Sequence, residues 1–209
     1  MDPDLTTGLP PFWTFYTGMD ALVHSIESRT NRYRFTENDP LAEKGIEFAV
    51  NNLATAVREP DNIEARTGMM LAAAYGGLAI GNTGCAVAHN VGHALGSIAG
   101  IPHGRAVSVA LAATLQWTIP GNRDAFERVA ALLGVDGPDA IAGKLHSLAD
   151  ACGQSLSLTG DELAKIEPAI LSDDMTADAH VGPPFGDARD RHGHPSLTPL
   201  AGVPQRRPC

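Results

Sequence analysis

The chain has 209 residues, of which 44% are hydrophobic, so it can bury a substantial core in one or two domains. Its formal net charge of -9 disfavours a nucleic-acid partner, because phosphate binding needs a basic surface, and favours a small-molecule partner. Acidic residues and early prolines stand where a signal peptide would be basic and then apolar, and no stretch reaches the ~18 apolar residues of a membrane span. We therefore expect a cytoplasmic protein that does not contact the membrane.

Apolar residues recur at helical spacing along most of the chain. Asn38, Asp39 and Pro40 predict a helix start, because proline suits the first helical turn. One apolar face of that helix comprises Ile46, Val50, Leu53 and Val57. Asp61 or Asn62 caps the next helix, IEARTGMMLAAAYGGLAI, whose small residues predict close packing against neighbours on several sides.

The later helices are marked in the same way. The next apolar stripe comprises Val87, Val91, Leu95 and Ile98. Gly100 and Pro102 end that helix, so His103 lies at the start of the following one. Further helices are indicated by Val107, Leu111 and Leu115; by Phe126, Val129 and Leu133; by Ile141, Leu145 and Leu148; and by Leu163, Ile166 and Ile170. With no run of strands and no repeat, the pattern predicts an all-α fold of about seven or eight helices from about Thr17 to Leu171.

The last stretch differs in composition. Between His180 and Cys209 stand six prolines, four glycines and four arginines, with hardly an apolar stripe to bury. We therefore expect a helical domain over residues 1–175 and a disordered tail over 176–209. His192 and His194, in RHGH, are interpreted as solvated histidines rather than a metal site.

The three cysteines are Cys85, Cys152 and Cys209. Their odd number and the absence of a CxxC pair indicate reduced thiols rather than a disulfide or zinc framework.

Two clusters of metal-ligand side chains dominate the sequence. Asp20 and His24 stand in GMDALVHSIES, and His89, His93 and His103 stand in AHNVGHALGSIAGIPHG. Residues four apart on a helix share a face, so each pair can point toward a common centre. Divalent iron, zinc, cobalt or nickel would accept such ligands.

Each of these residues also has an ordinary explanation. A lone histidine pair on a helix usually makes structural hydrogen bonds, Asp20 could be a charge favoured at a helix N-terminus, and His103 could be a surface residue after a proline. A zinc protease of the HExxH type is excluded, because Asn90 follows His89 where the general base would stand. The conjunction of the clusters favours a metal site over these separate explanations.

Three segments together resemble the C-terminal domain of the iron-containing (group III) alcohol dehydrogenases. They are GMDALVHSIES, the Ala- and Gly-rich helix ending in GNTG, and AHNVGHALGSIAGIPHGRAVSVAL. The resemblance runs in order from about Asp2 to about Asp173. It implies a helical bundle of the dehydroquinate synthase-like fold and an enzyme that converts alcohols to aldehydes or ketones with NAD or NADP.

The resemblance also implies residue roles. Asp20, His24, His89 and His103 fall on the four protein ligands of the catalytic divalent metal, usually iron and in some members zinc. His93 falls on an additional active-site histidine beside the nicotinamide and the substrate. Such a histidine could carry the alcohol proton to solvent, although a packing or orienting role is the alternative. The glycerol dehydrogenase and dehydroquinate synthase branches use three ligands, so the fourth position favours the alcohol dehydrogenase branch.

The sequence departs from the family in one large respect. Members carry an N-terminal α/β domain whose GGGS turn holds the dinucleotide pyrophosphate, and the 209 residues contain no such turn. Gly76 and Gly77 lie inside an apolar helix and are better explained by close helix packing. We expect a truncated chain that lacks its nucleotide-binding domain, possible partners being that domain or a second copy of the chain. The alternative is a metal-binding helical domain with no turnover of its own.

Overall fold

The computed structural model describes the backbone of residues 1–171 and the side chains of residues 1–168. This part of the chain contains eight α-helices and no strand, which confirms the predicted all-α fold. The helices are α1 (Pro11–Thr30), α2 (Asp39–Arg58), α3 (Ile63–Thr83), α4 (Val87–Ala99), α5 (His103–Thr118), α6 (Arg123–Leu133), α7 (Ile141–Ala151) and α8 (Gly160–Leu171).

The first helix begins earlier than the predicted Thr17. It starts at Pro11, where the fixed φ of proline favours the first turn of a helix and its missing N–H costs nothing. The residues Met1–Ala169 pack as one compact unit. The predicted tail over 176–209, with His192, His194 and Cys209, lies outside the described residues, and the domain boundary at residue 175 stays a prediction.

Helix α1 is the centre of this unit. It packs against α2, α3 and α5, and its side chains are buried on nearly every side between Thr14 and Arg29. Its largest fully buried side chains are Phe15, Met19, Leu22 and Ile26. Asp20 and His24 therefore project from the most enclosed helix of the domain.

Several predicted stripes are confirmed. On α2, Ile46, Leu53 and Val57 are buried and Val50 is partly buried. The stripes of α5, α6 and α7 are also buried: Val107, Leu111, Leu115, Phe126, Val129, Leu133, Ile141, Leu145 and Leu148. Asn62 caps α3 as predicted, since its Oδ1 accepts a hydrogen bond from the Ala65 N–H at 3.0 Å.

The predicted stripe on α4 is confirmed only in part, because Leu95 is buried and Val87 and Ile98 are partly buried. Val91 is exposed, and the buried face consists of Ala88, His89, Gly92, Leu95 and Ala99. The reason is the close approach of α5, because a Cβ at Gly92 would lie 2.9 Å from the Cα of Val107. Small residues face that neighbour, and the larger valine points outward.

Helix α3 is buried along one face rather than on several sides. Its opposite face is open, and Leu78 is 59% exposed. Gly76 does serve close packing, because a Cβ there would lie 2.8 Å from the Ala21 carbonyl oxygen. The same explanation is wrong for Gly77, which faces open space.

The predicted stripe on α8 is confirmed only in part. On α8, Ile166 is buried but Leu163 is exposed, while the side chain of Ile170 lies outside the described part.

Cys85 and Cys152 are free, as predicted. Among residues 1–171, no single helix has both the length and the apolar character to span a membrane; α3 and α4 do so only as a pair bent by 102°.

Candidate metal centre

Three helices bring the predicted ligands to one place. Helix α1 supplies Asp20 and His24 one turn apart, α4 supplies His89 from its first turn, and α5 begins with His103. Glycine makes the last approach possible, because a Cβ at Gly104 would lie 2.4 Å from the Tyr16 carbonyl oxygen of α1. The start of α5 can therefore lie directly against α1.

The Asp20 carboxylate is the common neighbour of three imidazoles. Its Oδ1 atom lies 3.5 Å from Nε2 of His89, 3.6 Å from Nε2 of His103 and 3.7 Å from Nε2 of His24. The ligand atoms of Asp20, His89 and His103 all lie within 4.8 Å of one another. Oδ1 of Asp20 and Nε2 of His89 are both buried without a hydrogen-bond partner.

This spacing fits a shared cation better than hydrogen bonding. Nitrogen and oxygen ligands lie about 2.1 Å from a tetrahedral metal ion, which places two ligand atoms about 3.4 Å apart. The three separations from Asp20, 3.5 to 3.7 Å, are close to that value and longer than good hydrogen bonds. Buried polar atoms normally have partners, so the unpaired Asp20 and His89 atoms indicate that a ligand belongs between them.

His24 and His93 flank the triad formed by Asp20, His89 and His103. The His24 ring stacks on the His89 ring with centroids 4.7 Å apart and planes 15° apart, so it lies at the site although outside the 4.8 Å triad. The exposed His93 has ring centroids 5.3 Å from His103 and 6.0 Å from His89. All five predicted residues therefore gather in one region.

The sequence analysis missed a sixth residue, Glu27. Its Oε2 lies 2.7 Å from Nδ1 of His89, on the ring edge opposite the triad. The backbone N–H groups of Ala86 and Ala88 also donate to this carboxylate. The signal that could have found it is its position on α1, seven residues after Asp20 and three after His24, and therefore on the same helix face.

The charges of the site depend strongly on one another. Burial by itself lowers the pKa of His89, but its interactions with the Asp20 and Glu27 carboxylates outweigh burial and raise this pKa to about 9. Burial raises the pKa of Asp20, yet the surrounding histidines hold it below its usual value. Burial lowers the pKa of His24, which favours its neutral, ligand-competent form.

The comparison with known families identifies the family of the chain. The model of the Fe-containing alcohol dehydrogenase family, C-terminal, matches residues 14–182. The chain belongs to the iron-containing alcohol dehydrogenase family. The match spans α1 to α8 and includes all five predicted residues and Glu27.

Curated relatives within the iron-containing alcohol dehydrogenase family are oxidoreductases. Choline dehydrogenase of Bacillus subtilis (strain 168) is 33% identical over 136 residues, which cover 65% of this chain and 34% of that protein. Maleylacetate reductase 2 of Cupriavidus pinatubonensis is 31% identical over 182 residues, which cover 87% of this chain and 51% of that protein. The chain thus spans about a third to half the length of these relatives.

Solved structures of the family share the fold. Sulfoacetaldehyde reductase from Bifidobacterium kashiwanohense, in complex with NAD+, is 30% identical with a TM-score of 0.70 over 85% of this chain and 45% of that chain. A 1,3-propanediol oxidoreductase is 30% identical with a TM-score of 0.69 over 73% of this chain and 42% of that chain.

Proposed function

We propose that the chain is the metal-binding part of an oxidoreductase that interconverts alcohols with aldehydes or ketones using NAD or NADP. The observation that carries the proposal is the buried, unpartnered pair formed by Oδ1 of Asp20 and Nε2 of His89, with two further imidazole nitrogens at similar distances from Asp20. The proposed ligands are Asp20, His24, His89 and His103, and the proposed metal is iron(II), with zinc as the alternative.

The site residues have two proposed roles, which are to hold a charged metal ion and to transfer a proton. A bound divalent metal supplies Lewis acidity that polarises the substrate oxygen. With a metal in place of the proton on Nε2 of His89, Asp20 would contribute a single negative charge among neutral imidazoles, so the ligand set would leave a net positive charge at the centre. His93 is exposed and lies beside His103, so its imidazole can carry the alcohol proton between the site and solvent.

Hydride transfer needs a nicotinamide held against this centre. The pyrophosphate of a dinucleotide is normally held by a glycine-rich turn at a helix N-terminus, and the 209 residues contain no GGGS turn. We therefore propose that a separate nucleotide-binding domain supplies this part of the site. The same observation favours a second candidate, a metal-binding domain without turnover of its own.

Metal analysis of the purified 209-residue chain tests the proposal. Wild type loaded with iron(II) or zinc should retain about one ion per chain, and His89→Ala should retain none, because it removes the most buried ligand. His146→Ala, which changes an exposed histidine on α7, is the matched control and should bind like wild type. Equal metal content in wild type and His89→Ala would contradict the proposed site.

A further inference from the structure

Glu27 has three hydrogen-bond partners behind the candidate metal centre. Its Oε2 accepts from the Ala86 N–H at 3.1 Å and lies 2.7 Å from Nδ1 of His89, while its Oε1 accepts from the Ala88 N–H at 2.6 Å. Glu27 is 4% exposed and His89 is 1% exposed. We infer that Glu27 is a positioning residue that makes Nε2 of His89 the metal-binding atom, an inference that rests on the proposed function.

The direction of the hydrogen bonds selects one form of the histidine. An ionised carboxylate only accepts, so Nδ1 of His89 must carry the proton that it shares with Glu27. In a neutral imidazole with its proton on Nδ1, the free lone pair belongs to Nε2. That nitrogen is the one that faces Oδ1 of Asp20 at 3.5 Å and lacks a hydrogen-bond partner.

The same carboxylate also places the helix that carries the histidine. Ala86 immediately precedes α4 and Ala88 lies in its first turn, so their N–H groups have no partner within the helix. Glu27 satisfies both of them from α1, and the negative charge is further favoured at a helix N-terminus. The carboxylate thus sets the position of α4 on α1 and the orientation of the His89 ring together.

The informative substitution is Glu27→Gln, which keeps the size of the side chain. All three partners of Glu27 donate, so the amide NH2 must face at least one donor in either orientation. We expect the affinity for zinc, measured by competition with a chelator, to fall about 10- to 100-fold, as for other partners of metal-bound histidines.

The matched control is Glu43→Gln. Glu43 of α2 accepts from Arg29 Nε at 3.0 Å and from Arg128 Nη2, and it contacts none of the proposed ligands. Its loss should lower the melting temperature without changing zinc affinity. A Glu27→Gln variant that folds, by circular dichroism, and loses zinc affinity where Glu43→Gln does not would separate positioning from general destabilisation.

A second measurement does not depend on the variant folding. In the zinc-loaded wild-type chain, 15N-resolved NMR of the histidine rings should show the His89 proton on Nδ1. A His89 proton on Nε2, or equal zinc affinity in wild type and Glu27→Gln, would overturn the inference alone. A wild-type chain that binds no zinc or iron would overturn the proposed function, and the inference with it.

Discussion

At the scale of single residues, the proposed role of His93 in proton transfer can be tested separately from metal binding. His93 lies one turn beyond His89 on α4 but is exposed and lies outside the triad of Asp20, His89 and His103. His93→Ala should therefore keep the metal content of wild type. In the enzyme with its nucleotide-binding domain, kcat should fall about 100-fold or more, the usual range for a lost acid–base group.

Two measurements check this prediction. Elemental analysis gives the metal content, and the pH dependence of kcat reports whether an acid–base group has been lost. A variant that loses its metal would place His93 among the ligands, and a variant with unchanged kcat would leave it a packing residue.

Adjacent residues differed greatly in how far the sequence predicted their role. Spacing on helix faces and helix starts made Asp20, His24, His89 and His103 candidate ligands, and the family resemblance implied their roles. Glu27 was missed because a glutamate on a helix is ordinarily solvated, and its burial depends on α4 lying across it. Its place on the same face of α1 as Asp20 and His24 is a local signal, but that signal does not identify His89, 62 residues away in the chain, as its partner.

At the scale of helices, the substitution Gly104→Ala tests whether the close approach of α5 to α1 positions His103. In Gly104→Ala the new Cβ would meet the Tyr16 carbonyl group at 2.4 Å, so α5 must move away from α1. We expect a loss of about 1 to 3 kcal/mol in the free energy of unfolding, together with weaker metal binding. Denaturant unfolding and zinc titration measure the two effects.

Gly77→Ala is the matched control for this substitution. Gly77 also lies within a helix, but its Cβ would face open space. The higher helix propensity of alanine should leave stability unchanged or raise it by up to about 1 kcal/mol. Equal free energies of unfolding and equal zinc affinities for Gly104→Ala and Gly77→Ala would show that the approach of α5 to α1 is not tight.

Glu162 makes the attachment of α8 to α5 depend on pH. It pairs with Arg105, and it forms a capping box with Thr159, whose N–H donates to Oε2 at 2.7 Å. The hydrogen bond and charge of Arg105 outweigh burial and lower the Glu162 pKa from 4.5 to about 2. Because the folded pKa is the lower one, this stabilisation is present above about pH 4.5 and is lost as the pH falls toward 2.

The variant Glu162→Gln should therefore be less stable than wild type at neutral pH, by about 1 to 2 kcal/mol for a cap and an ion pair. The difference in melting temperature should shrink between pH 4.5 and pH 2. Glu167→Gln, at an exposed position on the same helix, should show no such change. A difference in melting temperature between wild type and Glu162→Gln that stays constant across this pH range would contradict the lowered pKa of Glu162.

For the molecule as a whole, the prediction concerns turnover. The 209-residue chain loaded with iron or zinc should oxidise alcohols negligibly with NAD or NADP. Because the 209 residues contain no GGGS turn to hold the pyrophosphate, most of the roughly 7 to 11 kcal/mol that proximity and orientation contribute should be lost. The activity is measured with a panel of alcohols by monitoring the reduction of the cofactor through its absorbance.

Addition of a nucleotide-binding domain should restore this activity. Turnover by the chain alone that depends on Asp20 and His103 would show that the cofactor binds within these residues. Absent turnover in both forms, with metal still bound, would favour the metal-binding domain without turnover.

The sequence by itself determined the all-α fold, the order of the helices and the ligand motifs. These features are local, because helical periodicity, caps and breaks depend on residues within a few turns. The confirmed stripes of α2 and α5 have large apolar residues on one face, which leaves little choice of orientation.

Only the tertiary structure decided which face of α4 is buried and which residue supports His89. Between Arg66 and Arg105 there is no Asp, Glu, Lys or Arg, and hydrophobicity does not distinguish the faces of α3. The orientation of α3 and α4 follows from the steric fit of Gly76 against α1 and Gly92 against α5. That fit turns His89 toward Asp20 and brings Glu27 behind it, because close helix contacts select faces by size where polarity cannot.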